Sequence, residues 1–587
     1  MKFLLVALNA KYIHSNPALY SLRAYVGEAL QEHVEIAEYT INHAFTDVLA
    51  DIYQRKPDVI GLSCYIWNIE QMLELVTELG KLMPQVPIWL GGPEVTYDAP
   101  KLLEKYPTVA GIMVGEGEET FRQLLECYVK RDRVEREELL SIPGLCLPEG
   151  FTAPRELTDM STLPFLYEDM EPFQNRIIYY ESSRGCPFRC SYCLSSIDKK
   201  VRLRDMSVVK KELQFFLDKK VKQVKFVDRT FNCNHDHAAS VWKYLLENDN
   251  GVTNFHFEIA ADLLNEEELE LLGQMRPGLV QLEIGVQSTN PETLEAIHRV
   301  MDVEKLEQVV ARINAGKNVH QHLDLIAGLP YEDYESFGRS FNRVYAMEPE
   351  QLQLGFLKVL KGSEMCERAA EYGIYYTDKA PYEVLYTKWL SFEDVLHLKR
   401  IEEMVELYYN SNQFVHTLRF LEQAFETPFQ MYEELASFYE RKGYFVNSPA
   451  RSYRYQVLLE FACEYDGQYV SVYRELLTYD MYLRENLKSR PEFAKDLAAY
   501  KERFRDFYKQ EEECREYLPA YEAYDSKQLA RMTHLEPFIY PVWERMERNV
   551  TNMSCDVALP AREEYLVLFD YRERSPLIGE ARTVVVE

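Results

Sequence analysis

Short apolar runs alternate with amphipathic stretches twice along this chain, and that alternation constrains its fold more than any other feature. Residues 2–8, 34–39, 58–64, 86–90 and 110–114 read as strands, with apolar residues at helical spacing between them, as over 69–82. Strand–helix alternation at this interval predicts a doubly wound parallel sheet over residues 1–140. The pattern returns at 176–181, 223–227, 254–259, 279–286, 320–327 and 351–359. Six strands in βα order predict a partial (β/α)6 barrel over 176–360, with function at its C-terminal face. Residues 141–175 are proline-bearing and irregular and read as a linker. Residues 361–587 carry 25 of the 42 tyrosines and read as mainly helical, ending in two late strands. They are placed as a lid or substrate wall over the barrel mouth. The fold class is α/β throughout the first 360 residues.

Composition removes several classes of function. The chain has 587 residues and a formal net charge of −29, so a broad phosphate-binding surface, which needs clustered Lys and Arg, is not expected. No apolar run approaches the ~18 residues of a membrane span. The first strand meets Asn9 and Lys11 too soon to be a signal segment. A cytoplasmic protein with no nucleic-acid or membrane partner is the expectation. The eleven cysteines are odd in number and do not form a secreted disulfide framework.

Three of them stand together just after the first barrel strand, in Ser183-Arg184-Gly185-Cys186-Pro187-Phe188-Arg189-Cys190-Ser191-Tyr192-Cys193. Three thiolates on one short loop can hold three irons of a 4Fe-4S cube and leave the fourth open. Zinc sites want four ligands, and no nearby Cys or His has the spacing.

This Cys-x3-Cys-x2-Cys loop resembles that of the radical S-adenosylmethionine superfamily. The resemblance implies that Cys186, Cys190 and Cys193 ligate the cluster and that Tyr192 packs the adenine. It also implies that the open iron chelates S-adenosylmethionine, which is then split to a 5′-deoxyadenosyl radical. The later strands carry the same resemblance. Asp228, ending the second strand, stands where the family contacts the amino group. Glu283, Gln287 and Ser288 match the ribose-holding fourth strand, and Gly328 matches the fifth, beside the adenine.

The N-terminal sheet resembles the cobalamin-binding domain that precedes many such barrels. The matching positions are Ser63 after the third strand, Gly91 and Gly92 after the fourth, and Gly115 and Glu116 after the fifth. The usual Asp-x-His-x-x-Gly motif is missing: His14 has Tyr12 two before it and Pro17 three after it. The resemblance therefore implies cobalamin bound base-off, without a protein histidine. The expected activity is methylation of an unactivated carbon of an unknown substrate, with an electron donor such as flavodoxin or ferredoxin. Cobalamin-dependent rearrangement or cyclisation without methyl transfer, and methylthiolation of tRNA, are the alternatives. Against the last, the first domain offers only Cys64 and Cys127 for a second cluster.

Overall fold

Strand β1 (Phe3–Asn9) is buried along its whole length, as expected for a strand covered on both faces. Its side chains alternate between two cores. Leu4, Val6 and Leu8 enter one, and Phe3, Leu5 and Ala7 enter the other. The computed structural model describes residues 1–130, 134–487, 489–546 and 564–586. β2 (Val34–Thr40), β3 (Val59–Ser63), β4 (Ile88–Gly91) and β5 (Val109–Met113) complete a parallel sheet in the order β2-β1-β3-β4-β5. Helix Ile69–Leu82 buries Ile69, Met72, Leu75, Val76 and Leu79 against one face. β6 (Leu145–Leu147) and β7 (Gly150–Phe151) extend the sheet antiparallel beyond β5. Part of the sequence-defined linker is thus the edge of the first domain.

The second sheet begins with β8 (Ile178–Tyr180), and a separate two-stranded ribbon of β9 (Ser183–Arg184) with β10 (Arg202–Leu203) frames the cysteine loop. β11 (Gln223–Phe226), β12 (Asn254–Ile259), β13 (Val280–Gln287), β14 (His320–Ala327) and β15 (Gln351–Phe356) follow. The order β15-β14-β13-β12-β11-β8 is parallel throughout, as the partial barrel requires. On β13, Val280, Leu282, Ile284 and Val286 are buried in the outer core, while Gln281, Glu283, Gly285 and Gln287 face the other way. The inner face is therefore polar, unlike the branched apolar filling of a closed barrel.

Beyond β15 lies a hairpin of β16 (Tyr375–Tyr376) and β17 (Val384–Tyr386). The tyrosine-rich helices follow, and then an antiparallel sheet of β18 (Thr533–Phe538), β19 (Tyr565–Arg574) and β20 (Ala581–Val585). These helices share one hydrophobic core with the barrel. Phe341, on the last barrel helix, meets Phe429 edge to face at 5.5 Å between ring centroids. A boundary at 360 therefore cuts through this shared core.

Candidate functional site

The loop after β8 turns back at Gly185, whose φ of +93 and whose approach to Lys200 O leave no room for a side chain. Its three thiols, Cys186, Cys190 and Cys193, then line one cavity at the C-terminal end of the barrel strands. Among the described residues no three Cys, His, Asp or Glu side chains converge on a single metal ion. Thr230 Oγ1 lies 3.6 Å from Cys186 Sγ. Burial pushes the Cys186 thiol up, the penalty that bound iron would offset.

Arg299, which lines the cavity along with Arg229, was not found by sequence reasoning. Its Nη1 lies 3.8 Å from Cys190 Sγ and 3.4 Å from Tyr192 Oη, and its Nη2 donates to Gly285 O. Tyr192, Glu283 and Gln287 line the same cavity. Gln287 sits in a β-bulge at φ +71, and its buried Oε1 has no partner. Glu283 Oε2 is 2.9 Å from Lys225 Nζ and 3.0 Å from His256 Nε2. Burial acts to raise the Glu283 carboxyl, but those two partners outweigh it and hold it at about 2. Glu258 faces the cavity too, and burial pushes it up to about 7.

Three expected residues lie elsewhere. Asp228 is fully buried and accepts from Ser182 Oγ at 2.7 Å, Ser183 Oγ at 2.6 Å and Ser182 N at 3.0 Å. It braces the cysteine loop from beneath, and its neighbours Arg229 and Thr230 reach the cavity instead. Ser288 is also fully buried, donating to Glu332 Oε1 at 2.6 Å. Gly328 meets Val384 of the hairpin, whose Cγ1 would be 2.8 Å from an added Cβ. Among the described residues, none of those lining the cavity of the three thiols lies beyond Asp324.

A second groove lies across the C-terminal ends of β3, β4 and β5, the edge at which such sheets take ligands. Ser63, Gly91, Gly92 and Gly115 line it. Ser63 Oγ accepts from Asn16 Nδ2 at 3.1 Å. Gly92 has φ +113, and an added Cβ would come within 2.4 Å of Cys64 O, whereas at Gly115 it would meet only open space. This bare backbone wall fits a bulky planar or nucleotide-like ligand. Glu116 does not line the groove. It pairs with Arg202 Nη2 at 2.6 Å and is held at about 2, the arginine overcoming the effect of burial. Glu118 takes its place in the groove, 2.6 Å from Arg184 Nη2. His14 is engaged elsewhere, with Nδ1 2.6 Å from Tyr179 Oη.

Comparison with known proteins agrees with this division. Residues 4–125 match the B12 binding domain, 180–344 the Radical SAM superfamily, and 370–557 a protein family of unknown function, DUF4080. The chain thus joins a B12-binding domain and a Radical SAM domain to a C-terminal domain of unknown function. It is 26% identical over 363 residues to the cobalamin-dependent radical SAM methyltransferase TokK of Streptomyces tokunonensis, covering 56% of this chain and 51% of that protein. The chain thus spans about half the length of the curated relatives it matches. Its fold resembles the radical S-adenosylmethionine methyltransferase TsrM of Kitasatospora setae, with a TM-score of 0.53 and 17% identity over 65% of this chain and 79% of that one. It also resembles the cobalamin-dependent S-adenosylmethionine radical enzyme OxsB, with a TM-score of 0.57 and 14% identity over 81% and 78%. Among the described residues no helix is long and apolar enough to cross a membrane.

Proposed function

We propose that this protein is a cobalamin-dependent radical S-adenosylmethionine enzyme that methylates an unactivated carbon of its substrate. One observation carries the reading: an ion pair joins the groove to the cysteine loop. Glu118 lines the groove and is ion-paired to Arg184, two residues before the first cysteine of the loop. Bound in these sites, a 4Fe-4S cluster with S-adenosylmethionine would supply one-electron cleavage of a sulfur–carbon bond, and cobalamin would carry the methyl group. Cys186, Cys190 and Cys193 would hold the cluster.

The remaining residues orient and balance charge. Gln287 Oε1 is placed to accept from a ribose hydroxyl, and Tyr192 offers its ring to the adenine. Arg299 offsets negative charge at the thiolates. With Asp228 committed to Ser182 and Ser183, Glu258, one of four carboxyls lining the cavity, would meet an ammonium group. The engagement of His14 with Tyr179 supports cobalamin bound base-off without a histidine ligand. An acidic flavodoxin or a ferredoxin would supply the electron.

The test is anaerobic. The protein is reconstituted with iron, sulfide and cobalamin, reduced, and given S-adenosylmethionine; 5′-deoxyadenosine and retained cobalamin are then measured together. Both are expected in the parent, and no 5′-deoxyadenosine in Cys186→Ala. Turnover without stoichiometric cobalamin would sink the methyl-transfer reading. A product heavier by one methylene would separate methylation from rearrangement or cyclisation.

A further inference from the structure

Between β15 and the helical region, residues 357–386 run as a strap along the outside of the groove and touch three parts of the molecule. Toward the groove, Lys361 Nζ lies 2.9 Å from Asp98 Oδ2, and Tyr382 Oη donates to Glu94 Oε2 at 2.8 Å. Gly362, at φ +81, lies so close to the Tyr97 ring that an added Cβ would be 2.3 Å from it. All three partners stand on the single turn that follows Gly91 and Gly92, and Tyr97 itself lines the groove. Toward the cysteine loop, Met365 N donates to Ser191 O at 2.8 Å, between Cys190 and Tyr192. Toward the barrel, Val384 packs on Gly328.

We propose that this strap sets the position of the groove wall relative to the cysteine loop, with Lys361 and Tyr382 as positioning residues that govern cobalamin binding through the turn carrying Tyr97. The inference rests on the reading that the groove takes cobalamin. Neither residue lines the groove, so each acts through its partner. Glu94 is only 3% exposed, and a carboxyl buried that deeply needs its donor. Lose the tyrosine hydroxyl, and the turn must move to hydrate Glu94. Tyr97 moves with it. The anchors at Met365 and Val384 keep the strap itself from following, so the strain falls on the groove.

The test uses the full chain. Hydroxocobalamin affinity is measured by ultrafiltration and absorbance for the parent, Tyr382→Phe, Lys361→Ala and the charge exchange Lys361→Asp with Asp98→Lys. Iron content and Tm are read on the same samples, and Arg312→Ala, which breaks a surface pair with Glu266, serves as a stability control. The expected result is a rise in Kd of about tenfold in Tyr382→Phe and in Lys361→Ala, with iron content equal to the parent's even where Tm falls below the control's. The charge exchange should recover most of the affinity. Unchanged affinity in both single variants would overturn the proposal. So would a loss of iron and cobalamin together, in step with Tm, that the exchange does not repair. A parent that binds no hydroxocobalamin would instead overturn the reading of the groove, and the strap proposal with it.

Discussion

Arg299 reaches a thiol, a phenol and a backbone carbonyl from one buried guanidinium. Replacing it with methionine should cut 5′-deoxyadenosine formation roughly tenfold or more, the worth of a hydrogen bond to a charged group, and should lower the midpoint potential of the reconstituted cluster. An unchanged potential by redox titration would count against a charge-balancing role. Glu283 gives a second prediction. Its carboxyl is held below its ordinary value of 4.5, so its contribution to stability is complete above about pH 4.5 and is lost as the pH falls towards 2. Urea unfolding of the cluster-free protein should show Glu283→Gln about 2 kcal/mol less stable at pH 7, with the gap closing on the acid side. The cysteines were legible because their ligand chemistry demands a local spacing. Arg299 was not, since it follows a short helix and a left-handed turn at His298 and its partners are remote in sequence. Asp228 shows the opposite error. At the end of a strand successive side chains diverge, so a shift of one residue passed the cavity from Asp228 to Arg229 and Thr230.

At the scale of elements, the strands that were legible are those whose pattern is long enough to carry a period. β13 alternates over eight residues, and β1 is an unbroken run of seven buried ones. β6 and β7 have three and two residues beside Pro143, Gly144 and Gly150, too few for any period, and they exist because β5 offers an edge to pair with. The turn after β4 was legible as a pair of glycines, and the structure gives the reason at Gly92. Gly92→Ala forces a methyl against Cys64 O in a left-handed backbone. It should destabilise the protein by roughly 1–3 kcal/mol and abolish cobalamin retention, while Gly115→Ala, left-handed at φ +80 but facing open space, should cost only the backbone strain of about 1–2 kcal/mol. Thermal melts and cobalamin stoichiometry on both variants decide this.

At the scale of the whole molecule, the C-terminal half was legible only as helical and aromatic, because its tyrosines pack against barrel helices that no local pattern identifies. A chain ending at residue 360 would expose Phe341, Tyr345, Leu352 and Leu354, all buried in the shared core. It should fail to unfold cooperatively and should bind a hydrophobic dye, whereas a chain of residues 1–390 should recover the hairpin but not the core. A sharp denaturation transition in the shorter chain would show the barrel to be self-sufficient. The junction itself is fitted at close quarters: Gly338 has no side chain because Phe429 occupies the space, 2.9 Å from where a Cβ would be. A foreign C-terminal half would have to arrive with a matching ring opposite that glycine. Descendants of this protein can therefore acquire new substrates by changing residues one at a time around the cavities far more readily than by borrowing a ready-made half from another gene.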